Sequence, residues 1–245
     1  MSPADQLVLA GDEGAVRTLT LNRPSRLNAF TADSYRLLAT RLDEADADDG
    51  VHAVLLCGAG RAFCSGVDLD VLGHTFPGSD LRGAFDRLMG ALTAFTKPLL
   101  AAVHGPAVGI GATILLHCDA VLVAEGARLR FPFTSMRTAP EAGSTFLLPE
   151  VVGPQRAAEL LFTSRWVSAP EAVAMGLALR CCPPEGLRDE ASELAQAMAA
   201  QTPAAVVAAR RLLRHGRAEA VRAAVERELR EAERLGETLG PFGRP

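Results

Sequence analysis

Two glycine-containing segments of this 245-residue chain have the residue types and the placement needed to bind an anionic ligand atom. The first glycine segment is residues 61–69, Arg-Ala-Phe-Cys-Ser-Gly-Val-Asp-Leu, and the second is residues 104–113, His-Gly-Pro-Ala-Val-Gly-Ile-Gly-Ala-Thr. Each follows an apolar strand candidate and leads into a helix, whose first N–H groups have no acceptor within the helix. Two such junctions that face one point would form an oxyanion site.

The elements that must position these segments alternate between strand and helix. The strand candidates are 7–9, 16–21, 53–57, 99–103 and 120–124, with a further extended piece at 129–133. The helix candidates are one that Thr31 caps, then 81–95, 112–117, 155–162, 170–175, 187–200, 204–215 and 218–235. The alternation predicts parallel strand pairing and an α/β core.

We place a soft domain boundary near Pro183 and Pro184, where strand signals stop and helices alone continue. Residues 1–184 then form the core, and residues 185–245 form a helical region. In that region, Val221, Val225 and Leu229 make a stripe at i, i+4 spacing that needs an apolar partner, either the chain's own core or a neighbouring subunit.

The length and composition are typical of a globular protein, and we interpret the chain as one catalytic domain with a small additional helical region. Apolar residues make up 49% of the chain, charged residues make up 22%, and the net charge is −4, which gives no reason to expect nucleic acid as a partner. Five cysteines without a Cys-x-x-Cys pair predict reduced thiols and no metal site. The chain shows neither a leader pattern nor a bilayer-length apolar run, so we expect a cytoplasmic protein without membrane contact.

Four motifs in order resemble those of the crotonase superfamily, which includes enoyl-CoA hydratases and isomerases. They are the two glycine segments, the segment 23–30, Arg-Pro-Ser-Arg-Leu-Asn-Ala-Phe, and the segment 168–177, Ser-Ala-Pro-Glu-Ala-Val-Ala-Met-Gly-Leu. The resemblance implies a crotonase spiral of repeated ββα units, followed by a C-terminal helical oligomerisation region. It also implies a homotrimer or a dimer of trimers.

The resemblance further implies an acyl-CoA thioester as substrate, with coenzyme A entering as part of that substrate and no permanently bound cofactor. The thioester carbonyl would accept hydrogen bonds from the backbone N–H groups of Val67 and Ile110. Arg26 is either a neighbour of the adenine and phosphates or a solvated surface residue, and Asp68 either lines the site or caps the helix after it. The implied substrate-binding residues are Arg26, Leu27, Ser65, Gly66, Asp68, Leu69, Gly109, Thr113, Phe133 and Met136.

The acid or base that completes the site decides the reaction. Hydratases of this superfamily use two glutamates, at positions that correspond here to Thr113 and Phe133, and neither side chain can exchange a proton with water or carbon. Glu141, in Thr-Ala-Pro-Glu-Ala-Gly-Ser-Thr at 138–145, resembles the single catalytic glutamate of the peroxisomal-type Δ3,Δ2-enoyl-CoA isomerases. The sequence departs from that pattern at Ala142, where a glycine is usual.

We expect Pro140 to lie in a first helical turn and so to fix Glu141 at the start of that helix. Apolar neighbours such as Phe133 and Met136 would raise the pKa of the carboxyl, whereas a helix N-terminus would lower it. We predict that the first effect is larger.

The residues leave two other functions open and argue against two more. An enoyl-CoA hydratase and a crotonase-like subunit that binds acyl-CoA without turnover both stay open. A serine or cysteine hydrolase is disfavoured because no serine lies in a Gly-x-Ser-x-Gly elbow. A dinucleotide site is disfavoured because the glycine spacing at 105–111 is not Gly-x-Gly-x-x-Gly. His104 and His117 read as hydrogen-bonded histidines near the core.

Overall fold

The computed structural model describes residues 6–68 and 80–239. The strands are β1 Val8–Glu13, β2 Val16–Leu21, β3 Ala53–Gly58, β4 Leu99–Val103, β5 Ala107–Val108, β6 Ala120–Ala124, β7 Arg128–Arg130, β8 Trp166–Ser168 and β9 Arg180–Cys182. The helices are α1 Ala32–Ala47, α2 Asp80–Ala94, α3 Ile110–Thr113, α4 Ser144–Val152, α5 Pro154–Thr163, α6 Ala169–Ala174, α7 Leu187–Ala199, α8 Pro203–Leu213 and α9 Arg217–Leu239. Within the described ranges, none of these helices has the length and apolar content to cross a bilayer.

The main sheet has six strands in the order β1-β2-β3-β4-β6-β9. β1 and β2 form an antiparallel hairpin, and the other neighbouring pairs are parallel. A smaller sheet joins β5, β7 and β8. The predicted α/β core with parallel pairing is therefore confirmed.

Both faces of the central parallel strands β3, β4 and β6 are buried, as is usual in parallel sheets. Because successive side chains point to opposite faces, Leu55, Leu100 and Leu122 pack under α7 on one side. Leu56 and Ala101 point to the other side, where α1 and α2 cover the sheet.

The sequence prediction differs from the structure at several short elements. The extended piece 129–133 is a strand only at Arg128–Arg130. The helix expected at 112–117 starts at Ile110 and continues as a 3₁₀ turn, Ile114–His117. The strands β5, β8 and β9 were not predicted, because two or three residues are too few to display a period of two.

The sheet brings the two glycine segments to one edge. β3 and β4 are parallel neighbours, with Val54 opposite Leu99, so their carboxyl ends lie side by side. The chain leaves β3 at Gly58 and β4 at Val103 and enters a glycine segment in each case. This edge is where open α/β sheets commonly bind ligands.

The last helix, α9, buries its apolar stripe against its own chain. Val221 and Val225 belong to the main core, and Leu229 packs against it. The stripe also contains Glu228, which is only 4% exposed. An acidic residue on a buried helix face needs a partner.

Candidate active site

The two glycine segments are bonded to each other along their length. The N–H groups of Phe63 and Cys64 both donate to the Pro106 carbonyl at 3.1 Å, and the Val108 N–H donates to the Cys64 carbonyl at 2.9 Å. A side chain at Gly111 would place its Cβ 2.4 Å from that same Cys64 carbonyl oxygen. Glycine at 111 is therefore required for the two segments to approach this closely.

The backbone N–H groups of Val67 and Ile110 are the two predicted oxyanion donors. Ile110 is the first residue of α3, so its N–H has no acceptor inside the helix. Neither N–H donates to another residue that the structure describes. Gly66 and Gly109, which precede the two donors, are neighbours: a Cβ at Gly109 would lie 3.8 Å from the Gly66 Cα. Within the described residues, two amides without an acceptor therefore follow two neighbouring glycines.

The segment 26–30 runs beside the first oxyanion donor. The Ser65 N–H donates to the Leu27 carbonyl at 3.0 Å, and the Ser65 hydroxyl lies 3.5 Å from the Arg26 carbonyl. The Phe30 N–H donates to the Gly66 carbonyl at 2.8 Å. Arg26, Leu27, Ser65 and Gly66, predicted as substrate neighbours, are thus brought together. Leu69, predicted with them, lies outside the described residues.

A buried asparagine that the sequence analysis did not single out fixes this turn. The Asn28 amide nitrogen lies 2.9 Å from the Ala59 carbonyl and 2.8 Å from the Ala62 carbonyl, and its side-chain oxygen accepts from the Arg23 N–H at 2.8 Å. Asn28 also has a left-handed φ of 57°. Asparagine tolerates that conformation better than most residues, so an asparagine at position 28 was the feature of the sequence that could have indicated this turn.

Asp68, adjacent to a donor, forms a buried ion pair. Its Oδ2 lies 2.6 Å from Arg23 Nη1, and the residue is 7% exposed. The helix that Asp68 was predicted to cap would begin in residues outside the described ranges, so the cap stays a prediction.

Glu141 does not lie in a helix, contrary to our expectation. α4 begins at Ser144, with Gly143 at its N-cap. Ala142 and Gly143 both have left-handed φ angles, 60° and 73°, which turn the chain sharply between Glu141 and the helix. Pro140 is therefore in the preceding loop and not in a first helical turn. We call residues 138–143 the base loop.

The surroundings of Glu141 change its acidity in the predicted direction. Burial, and to a smaller extent the nearby Glu228 carboxyl, raise the pKa of Glu141 from 4.5 to about 8. The residue keeps some solvent access. In turn, burial and the charge of Glu141 raise the pKa of Cys64 to about 12 and that of Tyr35 well above 10.0. Glu141 is therefore close to Cys64, whose backbone bonds join the two glycine segments.

Two residues from distant parts of the chain hold the base loop. His117 Nε2 donates to the Ala142 carbonyl at 2.9 Å, and burial lowers the pKa of this histidine to about 4, so it is neutral. Glu228 accepts from the Gly143 N–H at 2.7 Å. The role predicted for His117, a hydrogen-bonded core histidine, is confirmed. The sequence analysis did not identify Glu228. The feature that could have revealed it is an acidic residue seven positions after Val221, on the otherwise apolar face of a helix.

The left-handed conformation of Ala142 leads to a stability prediction. Relief of that φ is worth about 1–2 kcal/mol, while loss of a buried methyl costs about 0.8 kcal/mol. Glycine also loses about 0.5–1 kcal/mol more backbone entropy on folding, so the effects nearly cancel and we expect Ala142→Gly to leave the free energy of unfolding almost unchanged in urea titrations. The matched control is Ala139→Gly, also buried and without a positive φ, which we expect to lose about 1 kcal/mol. Equal losses in both variants would contradict the strain argument.

Three other predicted residues, Thr113, Phe133 and Met136, lie between the second predicted oxyanion donor and the base loop in the sequence. Thr113, at the end of α3, is fully buried, and its hydroxyl has no partner among the described residues. Phe133 is 4% exposed, and its carbonyl accepts from the N–H groups of Met136 and Thr138. Met136 is half-buried in that turn. The two positions where hydratases carry carboxylates therefore hold a buried hydroxyl and a buried ring.

Comparison with known proteins agrees with this geometry. The sequence model of the enoyl-CoA hydratase/isomerase family matches residues 11–239. This chain belongs to that family. The resemblance to the crotonase superfamily is thereby confirmed, and the protein is an acyl-CoA-processing enzyme.

Relatives within the enoyl-CoA hydratase/isomerase family have mixed activities. The chain is 38% identical over 202 residues to 1,2-epoxyphenylacetyl-CoA isomerase from Escherichia coli, covering 80% of this chain and 77% of that protein. It is 32% identical over 213 residues to 2,3-dehydroadipyl-CoA hydratase from the same organism, covering 87% and 84%. It is 33% identical over 226 residues to rat enoyl-CoA delta isomerase 2, covering 90% of this chain and 58% of the rat protein.

Solved structures of the family share the fold. The enoyl-CoA hydratase/isomerase from Pseudoalteromonas atlantica superposes with a TM-score of 0.88 at 35% identity, covering 94% of this chain and 91% of the other. Pseudomonas aeruginosa OdaA gives the same TM-score at 37% identity, with 94% of each chain covered. The α/β fold of this chain is thus the crotonase fold.

Proposed function

We propose that this enzyme is a Δ3,Δ2-enoyl-CoA isomerase, which moves a double bond of an acyl-CoA from the β,γ to the α,β position. The observation that carries the proposal is the setting of Glu141: its carboxyl lies close to Cys64 of the first glycine segment, burial raises its pKa to about 8, and positions 113 and 133 lack carboxylates. Among the residues that the structure describes, such a site has one acid–base group suited to carbon chemistry and lacks the pair of carboxylates by which hydratases activate water.

The chemistry needs only that one group. The Glu141 carboxylate removes a proton from the α carbon, and the electron pair moves into the thioester to form a dienolate. The N–H groups of Val67 and Ile110 stabilise the negative charge on the dienolate oxygen. The protonated Glu141 then returns the proton to the γ carbon, so the substrate and product have the same composition and no water is consumed.

The raised pKa suits a proton shuttle. A carboxyl with the usual pKa would hold the abstracted proton too weakly to be an effective base toward carbon. With a pKa of about 8, about 10% of Glu141 is ionised at pH 7, and its conjugate acid can still release the proton to the γ carbon. General bases in enzymes are commonly tuned in this direction by burial.

We also propose where coenzyme A binds. Arg26 and Leu27 lie against Ser65 and Gly66, next to the Val67 donor, so a thioester held there would extend its nucleotide along this turn. Gly109, Thr113, Phe133 and Met136 would then line the acyl side. We propose an assembly as a homotrimer or dimer of trimers in the cytoplasm, with residues 185–245 supplying contacts between subunits.

The names of relatives support an isomerase without excluding a hydratase. The E. coli epoxyphenylacetyl-CoA isomerase and the rat delta isomerase favour the proposal. The E. coli dehydroadipyl-CoA hydratase favours the alternative. The proposal therefore rests on the residues at 113, 133 and 141.

A substrate assay tests the proposal directly. We expect the purified enzyme to convert a 3-enoyl-CoA to the conjugated 2-enoyl-CoA, seen as a rise in ultraviolet absorbance with no change in mass. We expect a 2-enoyl-CoA to gain no water by mass spectrometry. Hydration of 2-enoyl-CoA faster than isomerisation would assign a hydratase, and tight acyl-CoA binding without either reaction would assign a non-catalytic subunit.

A further inference from the structure

Glu228 occupies an unusual place for an acidic residue. It lies on the buried face of α9, is 4% exposed, and comes 85 residues after the base loop glycine that it contacts. Burying an isolated carboxylate is strongly unfavourable, so the chain must offer it compensation. The contacts of Glu228 therefore indicate what this residue is for.

Three hydrogen bonds tie Glu228 to the junction between the base loop and α4. One carboxylate oxygen accepts from the Gly143 N–H at 2.7 Å. The other accepts from the Thr145 N–H at 2.7 Å and from the Thr145 hydroxyl at 2.6 Å. Glu228 thus acts as a cap for α4 from another helix, since Gly143 has no side chain to cap it.

The packing of α9 on the base loop is close. A Cβ at Gly143 would lie 2.9 Å from Val221 Cγ1. Val221 lies on the same face of α9 as Glu228, two turns before it. The loop is also held by the bond from His117 to the Ala142 carbonyl. The two residues that follow Glu141 are therefore each fixed by a separate part of the chain, and the position of Glu141 follows from them.

We propose that Glu228 is a positioning residue for Glu141: from the last helix it fixes the base loop and keeps a negative charge beside the catalytic carboxyl. The inference rests on the proposed function, in which Glu141 is the base. The Glu228 carboxylate also accepts hydrogen bonds from the N–H groups at the start of α4. Its negative charge therefore offsets the positive end of that helix dipole, which would otherwise lower the pKa of Glu141.

Within the described part of the chain, three other titratable groups near Glu141 or its loop are neutral at pH 7, those of Tyr35, Cys64 and His117. Three guanidinium groups lie close enough to His117 to lower its pKa, those of Arg210, Arg214 and Arg217. Burial raises the pKa of Tyr35, on α1, and that of Cys64, in the first glycine segment. Burial lowers the pKa of His117, whose ring bonds the next residue. Among the described residues whose charges affect Glu141, Glu228 is the one that raises its pKa. A like charge nearby disfavours ionisation.

Replacement of the charge gives the test. In Glu228→Gln, we expect the half-ionisation point of Glu141 to fall by about one pH unit, measured by NMR on ¹³C-labelled glutamate carboxyls, with Glu141→Gln assigning the signal. The acidic limb of the pH profile of kcat/KM should move by the same amount, and the plateau should fall about tenfold because one hydrogen bond to the loop is lost.

Matched variants separate charge from structure. Glu226→Gln makes the same change at an exposed position of the same helix and should leave both readouts unchanged. Glu228→Asp keeps the charge, so the plateau should fall while the half-ionisation point stays near that of the unmodified enzyme. If Glu228→Gln does not fold, Thr145→Lys places a cation beside Glu228 at an exposed residue and should lower the same half-ionisation point.

The outcomes distinguish this inference from the proposed function. An unmoved half-ionisation point in a folded Glu228→Gln, or in Thr145→Lys, would overturn the role of Glu228 even if isomerisation is normal. A shifted point in a protein that does not isomerise 3-enoyl-CoA would support the electrostatic link and reject the proposed function.

Discussion

Glu141→Gln should lower kcat for isomerisation of 3-enoyl-CoA by about 10³-fold while acyl-CoA binding is retained. Glutamine has nearly the same shape as glutamate but cannot accept a proton from the α carbon. The oxyanion amides of Val67 and Ile110 are backbone groups and are unchanged by the substitution. Steady-state kinetics and calorimetric titration with a saturated acyl-CoA measure the two quantities separately.

The control for this variant is Glu150→Gln, an exposed glutamate on α4, which should retain full activity. Undiminished turnover in Glu141→Gln would show that another group is the base. A parallel loss in Glu150→Gln would instead indicate a general effect of the charge change on this helix.

The effect of Glu141→Gln on the free energy of unfolding should depend on pH. The pKa of Glu141 is raised from 4.5 to about 8, so the folded protein keeps a proton that the unfolded chain releases between these values. The stabilisation is complete below pH 4.5 and is lost as the pH rises through 8. Relative to the unmodified protein, Glu141→Gln should therefore gain on the order of 2–4 kcal/mol in free energy of unfolding between pH 5 and pH 8.5.

Ile110→Pro should lower kcat by about 10²–10³-fold by removing one oxyanion donor. Proline lacks the N–H but suits the first position of a helix, which Ile110 occupies in α3, so the substitution removes the hydrogen bond donor with little backbone change. The measurement is kcat for 3-enoyl-CoA together with the thermal midpoint, since Ile110 is fully buried.

Ile110→Val is the matched control because it shortens the same buried side chain and keeps the amide. It should cost about 1 kcal/mol of stability and leave kcat within a few-fold of the unmodified enzyme. If Ile110→Pro stays folded and turns over as fast as Ile110→Val, the second oxyanion donor is misassigned.

Local sequence signals predicted the main sheet and the meeting of the two glycine segments well. The apolar runs at 53–57, 99–103 and 120–124 are strands because buried parallel strands are continuous apolar segments. The two glycine segments meet because their strands are adjacent and parallel, and that topology follows from the alternation of strands with helices. These features depend on residues close together in sequence.

The base loop could not be predicted in the same way. Pro140 and Glu141 have the composition of a helix start, and the left-handed φ angles that delay α4 fall on Ala142 as well as on a glycine. The conformation of Ala142 depends on bonds from His117 and Glu228, which come from sequence positions 25 and more residues away. Tertiary contacts therefore override the local preference here.

The link between Gly143 and Glu228 has a consequence for the order in which the protein is made. Chains are synthesised from the N-terminus, and the oxyanion segments emerge from the ribosome long before α9 does. A nascent chain whose sheet has already formed still lacks the contact that fixes its base loop. Under the proposed function, competence for the reaction is therefore acquired only after α9 has been synthesised and has docked on the core.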